Sequence, residues 1–287
     1  MCYVLITPAK NEEKNILKTI ESVISQTIKP LQWVIVSDGS TDSTDAIVKG
    51  AASKYPFIVY KKNNSPSQKE FSSKVNAFNL GQKSLTVSDY QFIGNLDADV
   101  SFEKDYFEQI LGKFYVNPRL GLAGGLVWEY VNGKAKPFKV SLNSVSGAVQ
   151  LFRRTCFNEI GGYIPIKSGG IDSAAEIHAR ACGWIVETFP EYKVLHHGPM
   201  LTGAASIQRT MFRSGVTKYK LGYHPLFHFM SCVGRLFQKP AVLGALYFFA
   251  GYCYAALKRE TIILPSHVVQ FLRQEQMGRL VKPGKFS

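Results

Sequence analysis

QWVIVSDGSTDSTDAIVKGAASKY, residues 32–55, changes its hydrophobic period in the middle. Its first part, Trp33 to Val36, is a continuous apolar run, the pattern of a strand buried on both faces. Asp38-Gly39 ends that run with a turn signal. Ser40, Thr41, Ser43 and Thr44 then offer helix-capping side chains, and a helix is expected through Tyr55. A strand joined to a helix by a short polar turn is half of a βαβ unit.

The same alternation runs outward in both directions. Tyr3–Thr7 is a short β-rich run. Residues 12–26 place Ile16, Ile20, Val23 and Ile24 on one helical face, with Glu12 and Glu13 expected in the first turn. Residues 57–62 give a third strand, 72–85 a helix and 90–94 a fourth strand. Residues 103–118 give a helix stopped at Asn117-Pro118, and 121–131 return to strand. Strands separated by helices predict an α/β architecture with a mostly parallel sheet. Further on, 146–152 reads as a strand and 153–163 as a short helix. Residues 168–184 read as a loop entering a helix, with 185–190 and 193–197 as two short strands. From residue 200 the pattern is helical and rich in aromatics.

In such sheets ligands bind beyond the carboxyl ends of the strands. The polar segments fall there: TPAKNEE at 7–13, SDGSTDS at 37–43 and DADV at 97–100. Asp97 and Asp99 are two residues apart on an extended segment, so they face the same way. Two carboxylates side by side repel unless a cation lies between them. Magnesium or manganese, hard ions that prefer oxygen ligands, meet that need.

The ordered set PAKNEE (8–13), VSDGSTDST (36–44), SSKVNAFNLG (72–81), NLDADV (95–100), FRRTCFNEIGGY (152–163) and IDSAAEIHARACGW (171–184) resembles the family 2 glycosyltransferases. The resemblance covers roughly residues 3–200. It implies a GT-A fold, a Rossmann-like mixed sheet flanked by helices. It also implies metal-dependent, inverting transfer of one sugar from a nucleoside-diphosphate sugar to an acceptor hydroxyl, in cell-surface polysaccharide or glycolipid synthesis. Pro8, Ala9 and Glu12 would line the base and ribose pocket, and Asp38 would bond the base or ribose. Lys74 would lie near the base or diphosphate, and Asp97 would face the ribose and metal. Asp99 would ligate Mn²⁺ or Mg²⁺, helped by His196 or His197. Asp172, eleven residues before Gly183, falls at the catalytic-base position, with Glu176 one turn later as its rival. Two positions depart from the family pattern: Lys10 stands where an aromatic residue is frequent, and Ile171 where an acid usually precedes the base.

The resemblance divides the chain into a catalytic domain, 1–200, and a basic, aromatic-rich helical tail, 201–287. Within the domain, about 1–100 would be the nucleotide-sugar half and about 101–200 the acceptor half. Of the net charge of +13, residues 200–287 carry +10, from 12 Lys/Arg against Glu260 and Glu275. Inside the tail, residues 240–257 carry no charge. A helix of that length spans about 27 Å against a bilayer core of about 30 Å. A single crossing, a monotopic helix at an anionic membrane surface, and a helix packed on the domain or on a second copy in a homo-oligomer all fit. Gln276-x-x-Arg279-Leu280 shares Gln and Arg with the QxxRW motif of processive polysaccharide synthases but reads as an ordinary polar helix face.

The five cysteines are scattered and form no C-x-x-C pair, which points to a reducing compartment. MCYVLITPAK opens directly on a strand, and no secretory leader is read from it. The expected location is the cytoplasmic face of a membrane, with a lipid-linked or glycan acceptor and no nucleic acid. Two other classes stay open. A sugar-phosphate nucleotidyltransferase also uses paired aspartates, although TPAKNEE lacks the glycines of its N-terminal loop. A non-catalytic nucleotide-sugar or nucleic-acid binding protein would lean on the basic tail, which holds no reading motif.

Overall fold

A computed structural model describes residues 1–64, 72–131, 134–138, 141–198, 204–236 and 241–281. Four parallel strands form one half of a nine-stranded sheet: β1 (Tyr3–Ala9), β2 (Gln32–Ser37), β3 (Ile58–Lys62) and β4 (Phe92–Leu96). Every residue of β2 and β4 is buried, which is why their sequences read as unbroken apolar runs. Beyond β4 the sheet turns antiparallel, through β8 (Val149–Arg153) to β6 (Leu120–Val131). A further strand, β9 (Ile185–His196), runs parallel to β6, and β5 (Val100–Phe102) lies antiparallel to the end of β9. β7 (Lys134–Pro137) hangs as a hairpin on β6. The order is β3-β2-β1-β4-β8-β6-β9-β5.

The two short strands expected at 185–190 and 193–197 are one. The ladder pairs Gly125 with Phe189 but Leu126 with Lys193, so Pro190–Tyr192 form a bulge inside β9. The extra residues interrupt the apolar pattern without ending the strand.

Helices cover both faces. On one side α1 (Ile16–Ile24), α2 (Thr44–Lys54) and α4 (Tyr106–Val116) pack around Tyr3, Trp33 and Phe107. On the other, α3 (Ser72–Lys83), α5 (Arg154–Glu159) and α6 (Ile171–Ala181) enclose Ile6, Phe78 and Phe152. α1 begins at Ile16, so Glu12 and Glu13 precede it and no acid lies in its first turn. The reason is a tie between two loops. Asn11, in the left-handed region at φ 55°, accepts from Thr41 N (2.8 Å), and Glu12 N donates to Thr44 Oγ1 (2.8 Å). Ser43 N in turn donates to Glu13 Oε2 (3.0 Å). The polar ends of β1 and β2 are thereby joined.

Four helices follow: α7 (Ala204–Lys220), α8 (Pro225–Arg235), α9 (Ala241–Leu257) and α10 (Ser266–Val281). Ala174 and Ile177 of α6 share a core with Leu221 and with Val268, Val269 and Leu272 of α10. α9 lies against α7. A Cβ at Gly251 would overlap the Phe212 carbonyl, and one at Gly215 would overlap that of Phe248. Among the described residues no helix is long and apolar enough to cross a membrane, which removes the single crossing at 240–257. α9 spends one face on α7, burying Ala245, Phe248, Tyr252 and Ala255, and leaves Val242, Leu243, Leu246 and Phe249 exposed.

Gln276 and Arg279 are not an ordinary polar face. Gln276 is 2 % exposed and its Oε1 accepts from His224 N (2.8 Å). Arg279 meets Glu275, which also holds Arg180 of α6 at 3.1 Å. The tail packs its polar residues inward, against the helix that carries Asp172.

Candidate functional site

The parallel strands aim their carboxyl ends at one groove, and chain order along the sheet sets what lies where. At the β2 end Asp38 is buried and accepts from Asn63 Nδ2 (2.7 Å) and from the Ser73 hydroxyl. Asp38 N donates to Ala9 O (2.8 Å), and Pro8 and Ala9 pair with Val36 and Ser37 at the adjoining ends of β1 and β2. Ser73 precedes Lys74 on α3, so the groove continues directly to the next strand end.

There Lys74 Nζ sits 2.5 Å from Asp97 Oδ1 and 3.4 Å from Gly147 O. Its desolvated surroundings lower the ammonium's pKa, but Asp97, then Asp172 and Asp99, outweigh this and hold it above the usual lysine value. Asp97 and Asp99 occupy the turn between β4 and β5, and His196 closes the group from the end of β9. One ligand atom of each of these three lies within 4.8 Å of the others, with His196 Nε2 at 3.4 Å from Asp99 Oδ2. Glu12 belongs here as well. Burial first, and then the charge of Asp99, push its carboxyl up to about 7. Burial likewise raises Asp99, against the pull of His196.

Two carboxylates and an imidazole, half-buried and gathered within 4.8 Å of one another, suit a divalent cation. Oxygen ligands admit magnesium, and the imidazole tilts the set toward manganese. His197 is not part of this group. Successive residues of a strand face opposite ways, and its Nε2 meets Ser101 Oγ at 2.7 Å while its ring stacks on Tyr130. Burial lowers its pKa.

A cavity of about 370 Å³ opens beside Lys74 and Asp97 and reaches Asp172 and Tyr163. Asp172 stands in the first turn of α6, behind Gly170 at φ 84°, which is the N-cap. Its carboxylate faces the cavity, and no hydrogen bond to it forms among the described residues. Glu176 is different. It is 5 % exposed and accepts from Val145 N and Ser144 Oγ, both at 2.8 Å. Gln150 Nε2 lies at 3.5 Å, and Gln150 Oε1 accepts from Tyr163 (2.6 Å). Burial and then Asp172 push Glu176 up to about 8. It fastens the 144–150 segment, whereas Asp172 is left open to a ligand.

Two glycines make the site compact, and no motif announced them. A Cβ at Gly198 would overlap the Asp99 carboxylate, and one at Gly147 would come within 2.9 Å of Asp172 Oδ2. Asn95 supports the same wall, donating to Gly147 O at 2.7 Å. Neither residue type carries a chemical signature in sequence, so only the tertiary approach reveals them.

This strand order, with acids gathered past β4, defines a GT-A fold. The structure resembles the mannosyltransferase PcManGT from Pyrobaculum calidifontis, solved with GDP-Man and Mn²⁺ (TM-score 0.58, 17% identity, 98% of this chain and 81% of that one). It also resembles residues 1–349 of S. aureus TarS in complex with UDP (TM-score 0.53, 18% identity, 75% of this chain and 65% of that one). At such identities the likeness establishes the fold. The model of glycosyl transferase family 2 matches residues 4–170, more than half of the chain, and the chain belongs to that family. It is 25% identical over 173 residues to the poly-β-1,6-N-acetyl-D-glucosamine synthase of Staphylococcus epidermidis. That match covers 53% of this chain but 39% of the relative, so the chain spans about two-fifths of that protein's length.

Proposed function

We propose that the chain transfers one sugar from a nucleoside-diphosphate sugar to an acceptor hydroxyl, with inversion at the anomeric carbon. The observation that carries this reading is the junction of two features in one groove. The Asp97–Asp99–His196 group lies at one side of the 370 Å³ cavity, and the unengaged Asp172 carboxylate lies at the other.

Asp97, Asp99 and His196 are assigned to Mn²⁺ or Mg²⁺. A cation bound there would neutralise the charge that builds on the diphosphate leaving group. Asp38, Pro8 and Ala9 are assigned to the nucleoside end of the groove, and Lys74 to the diphosphate. Glu12, whose carboxyl is pushed up by burial and then by Asp99, is assigned to the metal end rather than to the base. Asp172 takes the proton of the acceptor hydroxyl as its oxygen attacks the anomeric carbon and the bond to the diphosphate breaks on the opposite side. A single displacement of this kind inverts the centre. The donor relatives named above are bound with GDP-Man or UDP; a panel of uridine and guanosine donors is therefore the first assay. Diphosphate release that depends on metal, and that Asp172→Asn abolishes while nucleoside-diphosphate binding is kept, supports the proposal. Release of pyrophosphate from a sugar phosphate and a nucleoside triphosphate would replace it with nucleotidyl transfer.

The acceptor is placed in polysaccharide or glycolipid synthesis at an anionic membrane surface. Support comes from the outward faces of α8 and α9, where Leu226, Phe229, Met230, Leu243 and Leu246 are each at least two-fifths exposed, within the segment that carries +10. Apolar side chains beside cations bind the headgroup region. Co-sedimentation with phosphatidylglycerol vesicles but not with phosphatidylcholine vesicles is expected. A stable homodimer with no vesicle binding would assign the face to a second copy instead.

A further inference from the structure

A second cavity, of about 500 Å³, lies behind the catalytic one, between α6, α7, α8 and α10. The two share a wall. Asp172 lines the first and its neighbour Ser173 the second; Gly147 lines the first and Ser144 the second. Their charges are opposite. Four cations line the second cavity: Arg180, Lys218, Arg235 and Arg279. Arg180 and Arg279 share the single carboxylate of Glu275. Lys218 meets the hydroxyl and ring of Tyr223, at 3.0 Å and 4.5 Å. Arg235 meets the Phe248 ring at 4.9 Å and Met211 Sδ at 3.9 Å. Neither of these two cations faces a carboxylate among the described residues.

One donor of a lining residue has no partner. The Nε of Arg279 is buried with no hydrogen bond among the described residues. Glu176 is the one carboxylate among the described residues of the lining, and its oxygens accept from Ser144 Oγ and Val145 N. At neutral pH its raised proton affinity further weakens any opposition to an anion.

We propose that this cavity binds a phosphoryl group of the acceptor, on the far side of the α6 wall from the Asp172 carboxylate. The proposal rests on the glycosyl-transfer reading of Asp172 and names the class of acceptor, a phosphate ester. Half-buried cations without carboxylates, beside an unfilled guanidinium N–H, are the complement of a phosphate, which accepts several charge-assisted hydrogen bonds. Arg180 lies eight residues from Asp172 on α6, roughly 12 Å at about 1.5 Å per residue, the span that one phosphate-ester acceptor would bridge.

The test titrates the full chain, without divalent metal, with glycerol 1-phosphate and with hexyl phosphate by calorimetry. Wild type and Asp99→Ala are expected to bind alike, since the donor's metal group is not involved. The double variant Lys218→Met, Arg235→Met is expected to weaken binding at least roughly tenfold. Lys218→Arg should bind like wild type, which separates loss of charge from loss of shape. The double variant should keep its melting temperature and its stabilisation by nucleoside diphosphate with Mn²⁺. Should it unfold, Lys218→Met alone, with a loss of roughly threefold, decides the matter. Tighter binding of hexyl phosphate assigns the phosphate to a lipid-linked acceptor whose chain follows the apolar side of α8. Equal binding assigns it to a phosphate within a polymer. No binding by wild type, or equal binding by the double variant, overturns the proposal. Phosphate binding that persists while no nucleoside diphosphate binds would overturn the glycosyl-transfer reading and leave the anion site standing.

Discussion

Two cavities meet at the first turn of α6 and carry opposite charge. In front, Glu12, Asp97 and Asp99 crowd around His196, and a carboxyl as ordinary as Glu12 rises to about 7. Behind, Arg180 and Arg279 share Glu275, and Lys218 and Arg235 rest on aromatic rings. A chain stabilised only for folding would pair these charges with one another. Keeping them apart, each half-buried and each underneutralised, costs stability that a ligand of the complementary charge restores. The front matches a cation and the back an anion.

The sharpest way to break this contrast is Asp99→Ala. It should abolish Mn²⁺-dependent stabilisation by nucleoside diphosphates and lower turnover by roughly 10³-fold or more, measured as diphosphate release. Asp172→Asn comes next. Turnover should fall about 10²- to 10³-fold while the melting temperature and donor binding stay unchanged. Glu176→Gln, which keeps the hydrogen bonds to the 144–150 segment, should lose less than about tenfold. A result in the reverse order would make Glu176 the base.

The paired histidines give a smaller effect. His196→Ala should weaken Mn²⁺ binding roughly tenfold, and His197→Ala less than about threefold, by manganese electron paramagnetic resonance titration. The smallest effect is thermal and follows from Glu176. Its pKa is raised on folding, to about 8, so between the usual carboxylate range and that value the native state holds a proton that the unfolded state has lost. Its contribution is therefore present at low pH and is lost as pH rises toward 8. Wild type should lose roughly 5 °C of Tm more than Glu176→Gln between pH 6 and pH 9. Equal slopes would show that the carboxyl ionises freely despite its burial.

Much of the front cavity was legible in the sequence. Trp33–Val36 and Asp38-Gly39 announced a buried strand and its turn, features for which local period suffices. Asp97 and Asp99 do come together, but in the turn between β4 and β5 rather than on the extended segment the spacing implied. The choice between His196 and His197 was not legible, because strand parity depends on register with β5 and β6, which the bulge at Pro190–Tyr192 resets. Asp172 and Glu176 were inseparable for a similar reason: residues four apart share a helical face, and the hydrogen bonds from Ser144 and Val145 that distinguish Glu176 arise only in the tertiary structure. Glu12 looked like a first-turn residue until the tie between Asn11 and Thr41 moved the start of α1 to Ile16. The back cavity was the least legible. Its cations come from four segments spread over residues 180–279, and the sequence showed only their sum.

The claim beneath all of this is that the carboxylates past β4 hold a divalent cation against a nucleoside diphosphate. Crystals grown with Mn²⁺ and UDP or GDP test it directly through the anomalous signal of manganese. The account predicts one peak bonded to Asp99, with Asp97 or His196 beside it and the diphosphate in contact. A diphosphate seated there without metal, or seated instead between Lys218 and Arg235, would contradict it.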